Sequence, residues 1–259
     1  MDITVLIGVL LGIFAIVGGM IAKGANLSSL INPAAIIIIF IGTIAAVCNS
    51  FPMDELKRVP ALFRKIFTQD KVQDAKEIID LIVEIAYQAR KEGLLSLEYR
   101  LAEIEDNFIK KGLQLIIDGQ DEDFVRDYLE TDIANMEDRH ASGALMFSSA
   151  GLYAPTLGVL GAVIGLIGAL GHMEDTAALA KSVGAAFVAT LFGIYTGYSL
   201  WIPFSAKLKR KSHEEVMVKS MALEGLLSIQ RGSNPVAIKE KMMVFLTPTE
   251  RDRIEAEES

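Results

Sequence analysis

The sequence predicts an all-α polytopic membrane protein with four transmembrane helices and a helical cytoplasmic domain. Three observations carry this. Of 259 residues, 51% are hydrophobic and yet 22% are charged, a mixture that a soluble core does not accommodate unless the two kinds are segregated along the chain. They are segregated: residues 3–22, 34–51, 146–171 and 182–206 carry no charge, and each run matches the ~20 apolar residues that cross a hydrocarbon core. No Val/Ile/Thr alternation punctuated by hairpin turns appears, so no sheet is expected.

Taken in order, residues 3–22 form the first span. Met1-Asp2 lacks the basic leader of a secretory signal, and the run is longer than a typical signal core. Residues 34–51 form the second span. Leu, Ile, Val and Phe cover both runs on all sides, which suits helices facing lipid. Within 71–91 the apolar residues Val72, Ala75, Ile78, Ile79, Ile82, Ile85, Ala86 and Ala89 recur three and four apart, the period of an amphipathic helix. Gly93 ends it, Ser96 is expected to cap a helix over 97–110 opened by Tyr99 and Arg100, and Gly112 and Gly119-Gln120-Asp121 are read as breaks. A long helix from about residue 122 is expected to run unbroken into the third span. In the tail, Gly232-Ser233-Asn234-Pro235 is a stop-and-turn, 236–246 a short amphipathic helix, and Glu255–Ser259 a frayed acidic end.

Charge sets the topology. Of the 25 Lys and Arg residues, all but Lys23 and Lys181 lie in 52–145 and 207–259, and the positive-inside rule places both segments in the cytoplasm. Lys57, Arg58, Arg64 and Lys65 follow the second span and Lys207, Lys209, Arg210 and Lys211 the fourth, where anionic headgroups hold them. Both termini are then cytoplasmic, and the outer loops are short (roughly 23–33 and 172–181). The organisation is 1–51, a lipid-facing hairpin; 52–145, a cytoplasmic helical domain; 146–206, a second hairpin; and 207–259, a cytoplasmic tail.

The second hairpin differs from the first. Gly151, Gly158 and Gly165 are seven apart, with Gly161 and Gly168 in a second series, so all five share one stripe. The fourth span carries Ala185, Ala189, Gly193 and Gly197 at intervals of four, with Thr190 and Tyr195 adding hydroxyls. Small residues in such a stripe let another helix approach closely. That helix belongs either to this chain or to another protein. Pro155 and Pro203 mark the inner parts of the two spans, each removing a helical hydrogen bond and freeing a carbonyl.

Several functions are excluded. Cys48 is the one cysteine, so neither an internal disulfide nor a multi-cysteine metal site is available, and a net charge of −8 disfavours nucleic acid as a partner. HExxH, GxSxG and GxxxxGK[ST] are missing, and His140, His172 and His213 are scattered, so neither an enzyme nor a cofactor or metal site is indicated. No Asp, Glu, Lys, Arg or His lies deep in any span; His172, Glu174 and Asp175 sit at an outer edge. Ion paths through membranes generally need an ionisable group at depth. Any ion conduction therefore requires a carboxylate from a partner.

The segment Ala86-Tyr87-Gln88-Ala89-Arg90-Lys91-Glu92-Gly93-Leu94-Leu95-Ser96-Leu97-Glu98 resembles the cytoplasmic motif of the MotA family of flagellar stator proteins. So do Ala154-Pro155-Thr156-Leu157-Gly158 with Gly161 opening the third span, and the tail from Glu224 through Gln230 and Gly232 to Asn234-Pro235. The resemblance covers essentially the whole chain, with three motifs in the right order. It implies a ring of five chains around two copies of a single-span MotB-type protein that supplies the intramembrane aspartate. Ion flow past that aspartate would turn the ring, whose cytoplasmic face drives the rotor protein FliG. It further implies that Arg90 and Glu98 contact the rotor, whereas by composition alone they read as a solvated helix end. It ties Pro155 and Pro203 to torque and Thr190 to the ion path, and makes Gly151, Gly158, Gly161, Gly165, Gly168, Ala189 and Gly193 the packing surface around the partner. Where sodium-driven relatives carry a second threonine, this chain has Ala162; loss of one oxygen ligand weakens a hard-cation site and favours protons. The alternatives are a sodium-driven stator, an energiser of outer-membrane partners of the ExbB/TolQ type, and a membrane scaffold that conducts nothing.

Overall fold

A computed structural model of the chain describes residues 2–68, 75–171 and 173–258, and all regular structure among them is helical. The chain divides into two compact units, Met1–Asp70 with His140–Arg210 and Lys71–Arg139 with Lys211–Ser259.

The first unit holds the four apolar runs, each in a helix long and apolar enough to cross a membrane. α1 (Ile3–Ala22) opens at Asp2, whose carboxylate accepts the Thr4 N–H at 3.2 Å, and none of its residues is buried. α2 starts at Asn32, which caps it by accepting the Ala35 N–H, and runs through Pro33–Ile36, a π-turn at Ile37–Ile41 and Gly42–Ser50. The widened turn falls on a run of β-branched residues, Ile36 to Ile39, whose restricted side chains weaken a regular helix. α2 is not the featureless helix expected. Asn32 Nδ2 donates to the Ala185 carbonyl at 3.1 Å and the Ser50 and Tyr153 hydroxyls are 2.9 Å apart, so polar groups near both ends tie it to the other spans. After it come one turn, Met53–Leu56, and the amphipathic α3 (Val59–Phe67), with Arg64 and Lys65 in its last turn.

The expected long helix is present: α6 runs from Glu122 to Leu170, with Pro155 inside it. α7 extends from Thr176 to Gln230, with a π-turn at Gly197–Trp201 and Asp175 capping it through the N–H groups of Ala177 and Ala178. The unit boundaries at 139/140 and 210/211 fall within these two helices. Phe63, Phe147, Trp201 and Phe204 pack with centroids 5.0–6.5 Å apart, edge-on except for the tilted Phe147–Trp201 pair, in one cluster with the buried Ile66 and Ala144.

The second unit is a helical core. The amphipathic helix is α4 (Ala75–Glu92), with Ile78, Ile79, Ile82, Ile85 and Ala86 buried; Val72, expected on it, lies outside the described residues. Gly93 follows with φ +85°, a backbone region open chiefly to glycine. The helix expected over 97–110 is instead a 3-10 stretch, Leu94–Ala102, followed by α5 (Asn107–Ile117). Ser96 lies within the 3-10 stretch, its hydroxyl donating to the Gly93 carbonyl, and the true cap is Asp106, which accepts the Phe108 and Ile109 N–H groups at 2.8 and 2.9 Å. Gly112 is not a break. It is buried within α5, where a Cβ would stand 2.6 Å from Leu226 Cδ1, so the glycine serves close packing.

The tail belongs to this core. Gly232, at φ +69°, ends α7, and Asn234 caps α8 (Pro235–Met243) through the Val236 N–H, as the stop-and-turn implied. The chain end is not frayed: α9 spans Pro248–Glu258, with Ser259 outside the described residues. The Glu250 carboxylate accepts the Thr247 N–H at 2.8 Å and its hydroxyl at 2.6 Å, and Pro248 fits the first turn because its missing N–H would have no helical partner there. Side chains of Ile82, Leu97, Leu113, Leu226 and Leu227 are fully buried, each contributing about 1.5–3 kcal/mol of transfer free energy.

Candidate functional site

Three groups of residues stand out in the structure, the first on the span-three/span-four contact. A Cβ on Gly193 would stand 2.7 Å from both the Ala154 carbonyl oxygen and Gly158 Cα, and one on Gly165 would stand 3.0 Å from Ala186 Cβ. Gly158 opposes Ala189 and Gly193, Gly161 opposes Ala189 Cβ, and Gly151 opposes Ile202 and the Gly197 carbonyl. The stripe is therefore packed within the chain at Gly151, Gly158, Gly161 and Gly165, against backbone at Gly158 and against the Ala189 side chain at Gly161, as small residues permit in lipid. Gly168 alone of the five meets nothing within 4 Å.

Pro155 belongs to this contact. It cannot donate to the Gly151 carbonyl one turn before it, and that oxygen would lie 2.7 Å from a Cβ on Gly197, with Pro155 Cγ at 2.8 Å. Only a hydrogen fits there. Gly197 also opens the π-turn of α7, so a proline irregularity faces a helical one. Pro203 lies just past that turn and is exposed, Ala162 is half-buried, and Thr190 is half-buried with its hydroxyl 3.4 Å from the Ala186 carbonyl. The Tyr195 hydroxyl is buried without a hydrogen-bond partner, beside Gly12 of α1.

The second group lies on the other unit. Arg90 on the last turn of α4 and Glu98 on the 3-10 stretch are exposed. Among the described residues neither enters an ion pair, in contrast to Arg100, which is held by Glu84 at 2.8 Å and Glu103 at 3.1 Å. Around them Tyr87, Leu95 and Tyr99 are 56%, 73% and 86% exposed. Periodicity missed these three, because an apolar residue on a polar face counts only as a break in the pattern.

The third group comprises ionic clamps that spacing could not reveal, since their members are distant in sequence. Lys207 Nζ lies 2.5 Å from the Asp2 carboxylate, and the Asp2 N–H donates to the Phe67 carbonyl. Lys207 and Thr4 hold the Asp2 carboxyl down at about 2. In the other unit, Glu122 pairs with Arg231 and Arg126, while Glu224 pairs with Arg126 at 3.2 Å and Lys241 at 2.5 Å. Arg231 first, and then Arg126, bring Glu122 down to about 2 against some desolvation. Burial pushes Glu224 up, but Lys241 and Arg126 outweigh it and leave it lowered.

Among the described residues no cluster of three His, Cys, Asp or Glu side chains could hold a metal; His172 lies outside them. A charge-free pair of apolar helices packed on glycine, joined in one chain to a charged helical unit, is the build of a membrane protein subunit with a helical domain outside the bilayer. The chain belongs to the MotA/TolQ/ExbB proton channel family: residues 100–221 match that family, and residues 6–93 match the Motility protein A N-terminal family. It is 50% identical to Motility protein A of Bacillus subtilis (strain 168) over 97% of this chain and 93% of that one. Its fold matches the structure of the flagellar MotAB stator complex from Bacillus subtilis with a TM-score of 0.90 at 49% identity, covering 96% of this chain and 97% of that one. The structure of C. jejuni MotAB matches at 0.91 and 29% identity, with the same coverage.

Proposed function

We propose that this chain is the flagellar motor stator subunit that, with a MotB-type partner, conducts ions and converts their flow into torque. It is a membrane channel subunit and not an enzyme. The observation that carries the reading is the lack of any ionisable side chain deep in the four spans, beside near-full-length similarity to chains of two MotAB complexes. The partner's single span then supplies the carboxylate. The match of residues 6–93 to the Motility protein A N-terminal family favours a stator over an ExbB/TolQ-type energiser.

The finer reading is a ring of five chains around a partner dimer in the bacterial cytoplasmic membrane, both termini inside, as the basic segments imply. Thr190, Pro155 and Pro203 flank the ion path, Ala189 and the glycines that meet the facing span keep the hairpin walls close, Gly168 is left to face the partner, and Arg90 and Glu98 engage FliG. The exposure of Arg90 and Glu98 suits that role, since exposed opposite charges steer association and separate easily at ~0–1 kcal/mol per pair. Each charge crossing ~100 mV releases ~2.3 kcal/mol, enough to drive a step of a low-friction ring. Ala162 favours protons over sodium.

The test is swimming of a stator-deficient bacterium supplied with this chain and its single-span partner in sodium-free medium. Swimming that stops on addition of a protonophore is the expected result. Swimming only with sodium overturns the choice of ion and keeps the stator. A stable membrane complex that never drives a rotor, even that of its own host, overturns the stator reading.

A further inference from the structure

We propose that the first unit holds an anionic phospholipid, with one acyl chain in the groove beside span two and its phosphate on Arg58. The groove is about 470 Å³, within the range of ligand sites. It is walled by Phe40, Ile44, Val47, Phe63, Phe147 and Trp201, and Ile44 on its rim is 61% exposed. These residues of α2 belong to a membrane span, so the space is filled from the bilayer.

Water does not fit. A buried water needs two to four polar partners, whereas the one side-chain hydroxyl on the lining is that of Thr43, which is 4% exposed and has no hydrogen-bond partner. A hydrocarbon chain fits the rest of the lining.

Leu56 and Val59 are among the groove's lining residues, and Arg58 stands between them in sequence, at the start of α3. Its acidic neighbours are engaged elsewhere: Asp54 pairs with Lys57 at 3.1 Å, and Glu55 accepts a hydrogen bond from the Ser142 hydroxyl. Arg58 is exposed and enters no ion pair among the described residues. An unpaired guanidinium next in sequence to residues that line an apolar membrane groove suits an anionic headgroup, since it holds phosphate oxygens in pairs. The amphipathic α3 carries two further basic residues, Arg64 and Lys65, in its last turn, a composition that suits an anionic membrane surface.

Trp201 is the one tryptophan of the chain and lines the groove, so its fluorescence reads occupancy directly. The full chain is reconstituted in phosphatidylcholine vesicles containing either phosphatidylglycerol or phosphatidylcholine with brominated acyl chains. The expected result is half-maximal quenching at about a fivefold lower mole fraction of the brominated phosphatidylglycerol, what ~1 kcal/mol from one basic side chain near the surface corresponds to. Arg58→Glu should erase that preference, and Val47→Phe, which narrows the groove, should reduce quenching by both lipids at unchanged helicity by circular dichroism. Equal quenching of the unaltered chain by the two lipids, or a preference that survives Arg58→Glu, overturns the proposal. So does a Trp201 that neither lipid quenches, which would mean that another copy of the chain covers the groove. The comparison of the two lipids on the unaltered chain decides the matter even where a variant fails to fold.

Discussion

Gly193 has no room for a methyl group: a Cβ there would stand 2.7 Å from the backbone of the facing span. Overpacking a contact of this kind costs about 1–3 kcal/mol, so Gly193→Ala should lower the thermal midpoint of the detergent-solubilised protein. Gly168→Ala, at a position with nothing within 4 Å, should leave it unchanged. Gly158→Leu together with Gly165→Leu should abolish torque while the protein still reaches the membrane; undiminished torque in a tethered-cell assay would refute the packing role. For Arg90 and Glu98 the expectation is reversed. Exposed sites without partners contribute within about ±0.5 kcal/mol to stability, so Arg90→Glu and Glu98→Lys should impair swimming at normal membrane levels, as immunoblotting would show.

At the scale of elements, the helices were legible where periodicity and caps agreed, and illegible where a residue had two uses. Gly93 and Gly232 were read correctly as stops because both occupy positive φ. Gly112 was misread because a glycine that ends a helix and one that admits a neighbouring leucine look identical in sequence. The Thr247-Pro248-Thr249-Glu250 start of α9 was readable by the rules of helix initiation, but the acidic composition that follows it suggested fraying instead. Removing that cap by Glu250→Gln should speed amide exchange over 248–258, while exchange in α5 stays unchanged. The ionic cluster joining α6, α7 and α8 gives a pH dependence. Glu122 is depressed in the fold from 4.5 to about 2, so its stabilisation is complete above about pH 4.5 and disappears as pH falls toward 2. The thermal midpoint should decline through that window, and Glu122→Gln should flatten the decline. A midpoint independent of pH there would refute the clamp.

For the whole molecule, the four spans were legible because segregation of charge is a property of composition. The residence of the tail in the same core as 75–139 was not. Periodicity reveals that a face is apolar and says nothing of what covers it, so Leu226 and Leu227 could not be matched to Ile82 and Leu113 in advance. The candidate site divides the same way: the small-residue stripe was visible, whereas its partner, the facing span of the same chain, required the fold.

The backbone contact between spans three and four has a consequence for heredity. Every single-base change in a glycine codon that replaces glycine with another amino acid introduces a larger one, so these positions can drift only toward steric conflict. Where the opposing atom is a side chain, a second mutation can restore the fit: Gly161 faces Ala189 Cβ at 3.0 Å, and Gly161→Ala should be suppressed by Ala189→Gly. Where it is backbone, as for Gly193 against Ala154 and Gly158, no substitution can withdraw the obstacle. Lineages should repair that lesion only by true reversion, and a suppressor screen would show it as a position with an empty harvest.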